Sequence, residues 1–364
     1  MGINELLELM VSANASDIHL NVSDHPTLRI LGRLTPLQDR PRLNPELMTE
    51  FFAQVTSEGQ REVFQKEKEL DFSYSLPGVG RFRVNACRQK GCLSLTFRFI
   101  HTEVPSIEAL GLPEVCKELV IKPRGLIMVT GPAGSGKSTT LGAMIEYLNQ
   151  RERRRVITIE DPIEFQYESK QCVISQRELG SDTNSFAAAA KHALRQDPDV
   201  ILVGEVRDTE TAAAVLTAAE TGHLVLSTSH APSAPQAIDR IIDLFPPYLQ
   251  NQARNRLSTV IEGVMCQALV PRADGSGRVP AVEVMLGSGA VKNLIRDGKT
   301  HQLMNTIQMA FRQGMQTLDQ TLALLCKDEI ITLEEATLWC RSSEEMERFM
   351  NASGENASFT SALQ

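Results

Sequence analysis

Leu126-Ile-Met-Val-Thr130-Gly131-Pro-Ala-Gly-Ser-Gly-Lys137-Ser138-Thr139 decides the fold of this chain. An apolar run of strand character leads into G-x-x-x-x-G-K-[ST], and residues 140–148 continue with a helical pattern. That is the setting of a phosphate-binding loop. Gly131, Gly134 and Gly136, with Ala133 and Ser135 between them, let successive backbone N–H groups turn into one concavity, and the helix N-terminus behind them adds positive potential. Lys137 is then expected to reach the β- and γ-phosphates, Ser138 to offer a hydroxyl to Mg²⁺, and Thr139 to contact the α-phosphate region.

Outward from that loop, short β-rich runs at 126–130, 156–160, 200–203 and 224–229 alternate with alanine- and leucine-rich helical stretches. The runs lack polar alternation, which predicts a mainly parallel sheet covered by helices on both faces, an α/β domain. Beyond Pro246 the pattern reads as mostly helical. On the N-terminal side, helix patterns at 4–10 and 45–55 mix with alternating strand patterns at 17–22, 70–75, 81–86 and 93–100, which predicts a small α+β domain. Residues 101–124, with prolines at 105, 113 and 123, read as a linker carrying one short helix. The expected organisation is therefore 1–100, a linker 101–124, a nucleotide-binding domain 125–350 and a disordered tail 351–364, with no internal repeat.

Cleavage of a terminal phosphate needs carboxylates near this loop, one to hold Mg²⁺ and one to orient water. Glu205 follows the apolar strand 200–203, where Asp is the usual residue, and Gly204 beside it permits close backbone approach. Glu160, Asp161 and Glu164 crowd the end of strand 156–160, so a cationic neighbour is expected. His223 and His230 flank the strand 224–229 at a separation of about 23 Å, too far to share a metal ion. Arg81 and Arg83 project from one face of a strand and Arg98 lies on another, a cationic patch that reads either as a solvated sheet face or as fixed charge for nucleotide held by an adjacent subunit. The Arg151-Glu-Arg-Arg-Arg155 run joins a helix to a strand and reads as a solvated connection.

With 364 residues, two domains are expected. Lys and Arg total 37 against 45 Asp and Glu, a net charge of −8, which disfavours nucleic acid as a partner. No window has the length and hydropathy of a membrane span, and residues 1–17 read as an acidic helix rather than a basic leader, so no direct membrane insertion and a cytoplasmic location are expected. The seven cysteines contain no C-x-x-C pair and read as reduced thiols.

Taken in order, these motifs resemble those of the secretion ATPases, and more closely the PilT-type ATPases that retract type IV pili, over about residues 1–345. Ser16-Asp-Ile-His-Leu20 resembles that family's N-terminal signature and Gly80-Arg-Phe-Arg-Val84 its arginine strand. Residues 158–165 resemble its Asp box, 202–208 its Walker B segment and 220–230 its His box. The resemblance implies a PAS-like N-terminal domain, a RecA-like P-loop ATPase domain and a homohexamer working with ATP and Mg²⁺. It also implies an inner-membrane platform protein as partner and a place at the inner membrane face. It assigns water activation to Glu164, Mg²⁺ to Glu205 and Ser138, γ-phosphate contact to His230, and puts Glu160 and His223 in the same boxes. The family's retraction segment A-I-R-N-L-I-R-E stands here as Ala290-Val-Lys-Asn-Leu-Ile-Arg-Asp297. Leu194-Arg-Gln-Asp-Pro-Asp199, Gly314-Met-Gln-Thr-Leu-Asp-Gln320 and the C-terminal extension resemble the accessory paralogue PilU, so primary motor, accessory motor beside a second retraction ATPase, and non-hydrolytic ring member all stay open at this point.

Overall fold

From Gly80 to Ile100 every second side chain tends to be apolar, and in the computed structural model those residues enter a core while their neighbours face away. The structure describes residues 2–30, 32–100 and 103–351. They divide into two units, Met1–Glu103 with Pro162–Gln166, and Val104–Asp161 with Tyr167–Gln364.

The first unit is built on an antiparallel sheet of β1 (Asp17–Asn21), β2 (Thr27–Ile30), β3 (Arg33–Pro36), β4 (Glu69–Leu76), β5 (Gly80–Gln89) and β6 (Cys92–Ile100), in the order β3-β2-β1-β6-β5-β4. Phe82, Val84 and Ala86 of β5 and Leu93, Leu95 and Phe97 of β6 join Ile3, Leu6, Leu7 and Met10 of helix Ile3–Ser12, Phe51 of helix Pro45–Val55 and Phe64 of helix Glu58–Glu67 in one apolar cluster. The opposite face of β5 and β6 carries Arg83 paired in register with Arg98. Strands β2 and β3 and helix Glu58–Glu67 went unread in the sequence. The two strands are only four residues long and β3 is exposed throughout, leaving no periodicity to detect.

The second unit carries β7 (Gly125–Thr130), β8 (Arg155–Glu160), β9 (Val173–Glu178), β10 (Val200–Val203), β11 (Leu224–Ser229), β12 (Ile261–Pro271) and β13 (Arg278–Leu286) in one sheet, ordered β13-β12-β7-β11-β10-β8-β9. All pairs are parallel except β12 with β13. Strands β7, β10 and β11 are buried along their whole length, because apolar layers cover both faces. Beyond Pro246 the described residues are mostly helical, as expected, but residues 261–286 interrupt the helices with a long hairpin that the sequence pattern does not reveal. Its strands are buried on nearly every position, so no period of two distinguishes them from a buried helix. Of the expected tail, residues 352–364 lie outside the described residues.

The helix Gly289–Arg296, in the retraction-like segment, buries Val291 and Ile295 and is pinned by charge. Lys292 Nζ donates to Glu262 Oε1 at 2.8 Å and Lys122 Nζ to Glu262 Oε2 at 2.9 Å. Burial pushes the Glu262 carboxyl up, but the hydrogen-bonded ammonium groups of Lys292 and Lys122 outweigh it and hold it below the usual carboxylate range. A carboxyl held low in the folded state stabilises above its unfolded pKa, and that contribution disappears as the pH falls through the folded value. Glu262→Gln is expected to lower stability by about 1–2 kcal/mol at neutral pH. The difference from the unsubstituted chain should close below about pH 4, as read by urea denaturation at several pH values.

Candidate active site

The loop between β7 and the helix Lys137–Arg151 wraps so tightly against β12 that glycine is required at two points. Gly131 and Gly136 have φ of +140° and +88°, and a Cβ on them would lie 2.3 Å from the Gln267 carbonyl oxygen and 2.8 Å from Gln267 Nε2. Gln267 also accepts at 2.7 Å from the hydroxyl of Thr140, one turn into the helix, so a single side chain braces both the loop and the helix start. Lys137 Nζ folds back to donate to the carbonyls of Gly131 and Pro132, each at 2.9 Å. Burial lowers its pKa, opposed by attraction to Glu205. Ser135 Oγ is buried with no hydrogen-bond partner among the described residues. An orphaned hydroxyl, an ammonium resting on its own loop's carbonyls and two glycines with no room for a side chain fit a phosphate chain. Ser138 is exposed at the helix start, Glu205 follows β10, which is separated from β7 by β11, and hydroxyl plus carboxylate oxygens suit Mg²⁺.

The ends of the parallel strands bring further polar groups to the same edge. Ser229, the last residue of β11, pairs in register with Thr130, the last of β7, and Val203 of β10 pairs with Ser227 and with Ile159. Gly204 donates its N–H to the Ile159 carbonyl at 2.8 Å, and a Cβ there would meet that oxygen at 3.1 Å. The next residue, Glu205, receives His230 Nε2 at 3.1 Å on one carboxylate oxygen and Arg207 Nη2 at 2.7 Å on the other. Glu160, at the end of β8, accepts from the hydroxyl of Thr158 at 2.6 Å and from Gln176 Nε2 at 3.2 Å. His223 sits at the opposite end of β11, its Nδ1 3.0 Å from the Ala218 carbonyl and 3.1 Å from the Thr221 hydroxyl. That is the end of a helix, away from the edge that carries His230.

Arg81, Arg83, Arg98 and Glu164 belong to the first unit. Arg83 and Arg98 are register partners, and Arg98 is in turn opposite Asp17, which is opposite Arg29. Four charged residues therefore form a row across adjacent strands. Asp17 is nearly buried; Arg98 Nε donates to it at 2.8 Å and Arg29 Nε lies 3.8 Å away. Burial pushes the Glu164 carboxyl up, while Arg83 and then Arg98 pull it down. This is the cationic neighbour that crowded acids require.

Lys137, Glu205 and His230 thus share one edge of the second unit, Glu164 shares the first unit with Arg83 and Arg98, and His223 stands apart from the other residues of its box. Sequence reasoning passed over Gln267, Asp17 and Arg207. A lone glutamine inside an apolar strand is the signal for the first. The other two lie inside quoted motifs, but what they touch depends on strand register.

Gln267→Leu would leave the Thr140 hydroxyl buried without a partner, and ADP affinity is expected to fall about three- to tenfold. Isothermal titration with ADP measures this, and unchanged affinity would reduce Gln267 to a space-filling residue. Residues 2–316 match the family described as Type II/IV secretion system protein. The chain is 45% identical over 336 residues to the Type IV pilus retractation ATPase PilT of Pseudomonas aeruginosa, covering 92% of this chain and 97% of that protein. It is 40% identical over 356 residues to the Type IV pilus ATPase PilU of the same organism, covering 98% and 93%. A crystal structure of the pilus retraction motor PilT with bound ADP superposes with a TM-score of 0.89 at 44% identity, covering 96% of this chain and 99% of that one. The chain belongs to the type II/IV secretion system protein family and, within it, to the PilT-type ATPases with a RecA-like nucleotide-binding domain.

Proposed function

We propose that this chain is a homohexameric ATP-hydrolysing motor that retracts a type IV pilus by nucleotide-driven closure of its domains, which acts on an inner-membrane platform protein and depolymerises pilin. The observation that carries this reading is the alignment of Lys137, Glu205 and His230 at one sheet edge in a chain so similar to PilT. Lys137 and the N–H groups of 133–137 bind the β- and γ-phosphates, with Thr139 toward the α-phosphate. Ser138 and Glu205 would hold Mg²⁺, which neutralises charge on the phosphate oxygens. His230, already in contact with Glu205, senses the terminal phosphate.

Glu164 takes the proton as water attacks the γ-phosphorus; the bond to the β–γ bridging oxygen breaks, leaving ADP and phosphate. Burial makes Glu164 a stronger base than an exposed carboxylate, while Arg83 and then Arg98 favour its charged form and oppose that rise. Arg81, Arg83 and Arg98 also offer fixed positive charge to nucleotide in an adjacent subunit. ATP and ADP must prefer different domain angles, since a ligand that binds both equally shifts nothing. No described helix is long and apolar enough to cross a membrane. A peripheral place at the inner membrane face, in the cytoplasm, fits a motor that pushes on a platform protein.

A second reading, accessory motor, is favoured by the wider coverage of this chain in the PilU comparison than in the PilT one. Pilus imaging in cells lacking this chain, with and without a restored Glu205→Ala copy, separates the two. Loss of retraction with extension intact in both strains marks the primary motor, whereas retraction restored by the inactive copy marks the accessory one.

Lys137→Ala is expected to abolish ATP turnover in a steady-state assay; unchanged activity removes the loop from the mechanism. Glu164→Gln should lower kcat by about 10²–10⁴-fold with ADP binding retained. A base must be deprotonated, so activity falls as pH drops through the Glu164 pKa, and Arg83→Gln should move that acidic limb to higher pH. A kcat–pH profile whose acidic limb stays in place in this variant would exclude Glu164 as the base.

A further inference from the structure

His230 heads the short loop 230–233 between β11 and the helix Ala234–Asp243, so its approach to Glu205 depends on what holds that loop. From the sheet side, the hydroxyl of Thr130, immediately before the phosphate-binding loop, donates to the Ala231 carbonyl at 2.6 Å. The remaining anchors come from elsewhere. Glu283 of β13 is fully buried and accepts the Ala234 N–H at 2.6 Å on one oxygen. Arg341 bonds its other oxygen through one guanidinium nitrogen and donates to the Pro232 carbonyl through another. The backbone N–H groups of Arg341 and Ser342 are themselves fixed by Asp319, at 2.7 and 3.0 Å. Asp319 is almost completely buried in the helix Leu318–Lys327. Burial pushes the Glu283 carboxyl up and Arg341 opposes it, so the guanidinium both bridges the loop and compensates the buried acid. Arg341 and Asp319 lie beyond residue 316, where the family match ends.

We propose that Arg341 is a positioning residue for His230: by bridging Glu283 to the Pro232 carbonyl, it makes the segment at 341–351 a lever on hydrolysis of the terminal phosphate. The inference rests on the reading of His230 as the γ-phosphate contact. A group that acts only through His230 should change turnover and spare the binding of nucleotide that lacks the γ-phosphate. It should also lose its effect once His230 is gone.

The test uses the full chain, with steady-state ATPase assays and ADP titrations on Arg341→Lys, Arg341→Met, His230→Ala and the Arg341→Met/His230→Ala double variant. Arg341→Met is expected to lower kcat about tenfold with ADP affinity within about twofold of the starting protein. Arg341→Lys, which can still donate and neutralise, should recover most of the rate. In the His230→Ala background, Arg341→Met should cost no more than about twofold further, because effects transmitted through one group do not multiply. Losses that multiply, or an unchanged kcat in Arg341→Met, overturn the proposal. Arg341→Met strands a buried carboxylate and could unfold the chain, so Glu283→Gln/Arg341→Met, which removes both charges, serves as the second variant. A low kcat in that folded protein supports positioning, and restoration of the full rate shows that Arg341 merely neutralised Glu283. His230→Ala turning over at the unsubstituted rate instead removes the reading of His230 itself, whatever Arg341→Met does.

Discussion

Parallel strands rise about 3.3 Å per residue, so side chains from four strands can meet at one sheet edge only if the strands end level. In this chain the backbone ladders bring those ends level, and hydroxyls add ties between them. Ser227 donates to the Val203 carbonyl and Thr228 to the Gly204 carbonyl, each at 2.6 Å, while Thr130 reaches across to Ala231. Ser227 and Thr228 lie in the second half of β11 and Thr130 ends β7; Ser227 bonds the last residue of β10, and Thr228 and Thr130 bond the connections that follow β10 and β11. A slip of one residue would move Glu205 or His230 by about a strand step and turn the side chain to the other face. The polar residues at these strand ends therefore work as pins for the phosphate edge, and the apolar layers supply the cohesion behind it.

The first unit solves an electrostatic problem of its own. Guanidinium groups in neighbouring register positions repel, yet Arg83 and Arg98 face each other. Asp17 offsets that repulsion, with Arg29 beyond it on the next strand. The result is a row in which one buried acid serves two arginines and leaves Arg83 with positive charge to direct elsewhere. In an acidic chain such a concentration of charge has to be built locally, and strand register is the means.

Much of this was legible in the sequence, for physical reasons. The phosphate-binding loop announces itself because glycine, lysine and serine or threonine at fixed spacing have few other uses between a strand and a helix. Glu205, His230 and the arginine pair were legible because each stands at the end or on the open face of a recognisable strand. What stayed hidden was whatever depends on long-range register. The hairpin β12–β13 carries no alternation because both faces are covered, and with it Gln267 and Glu283 had no visible place. Arg341 has no signal at all in the sequence; its partners Asp319, Glu283 and Pro232 lie 22, 58 and 109 residues before it and meet it only after folding.

Lys137, which rests on two carbonyls of its own loop, bears on what the site can tell apart. Neutral carbonyls are weaker acceptors than anionic oxygens, so an arriving phosphate trades two ordinary hydrogen bonds for charge-assisted ones. The gain rises with every anionic oxygen presented and vanishes for a nucleoside that has none. A loop arranged in this way would score a ligand by its anionic oxygens, whatever base it carries.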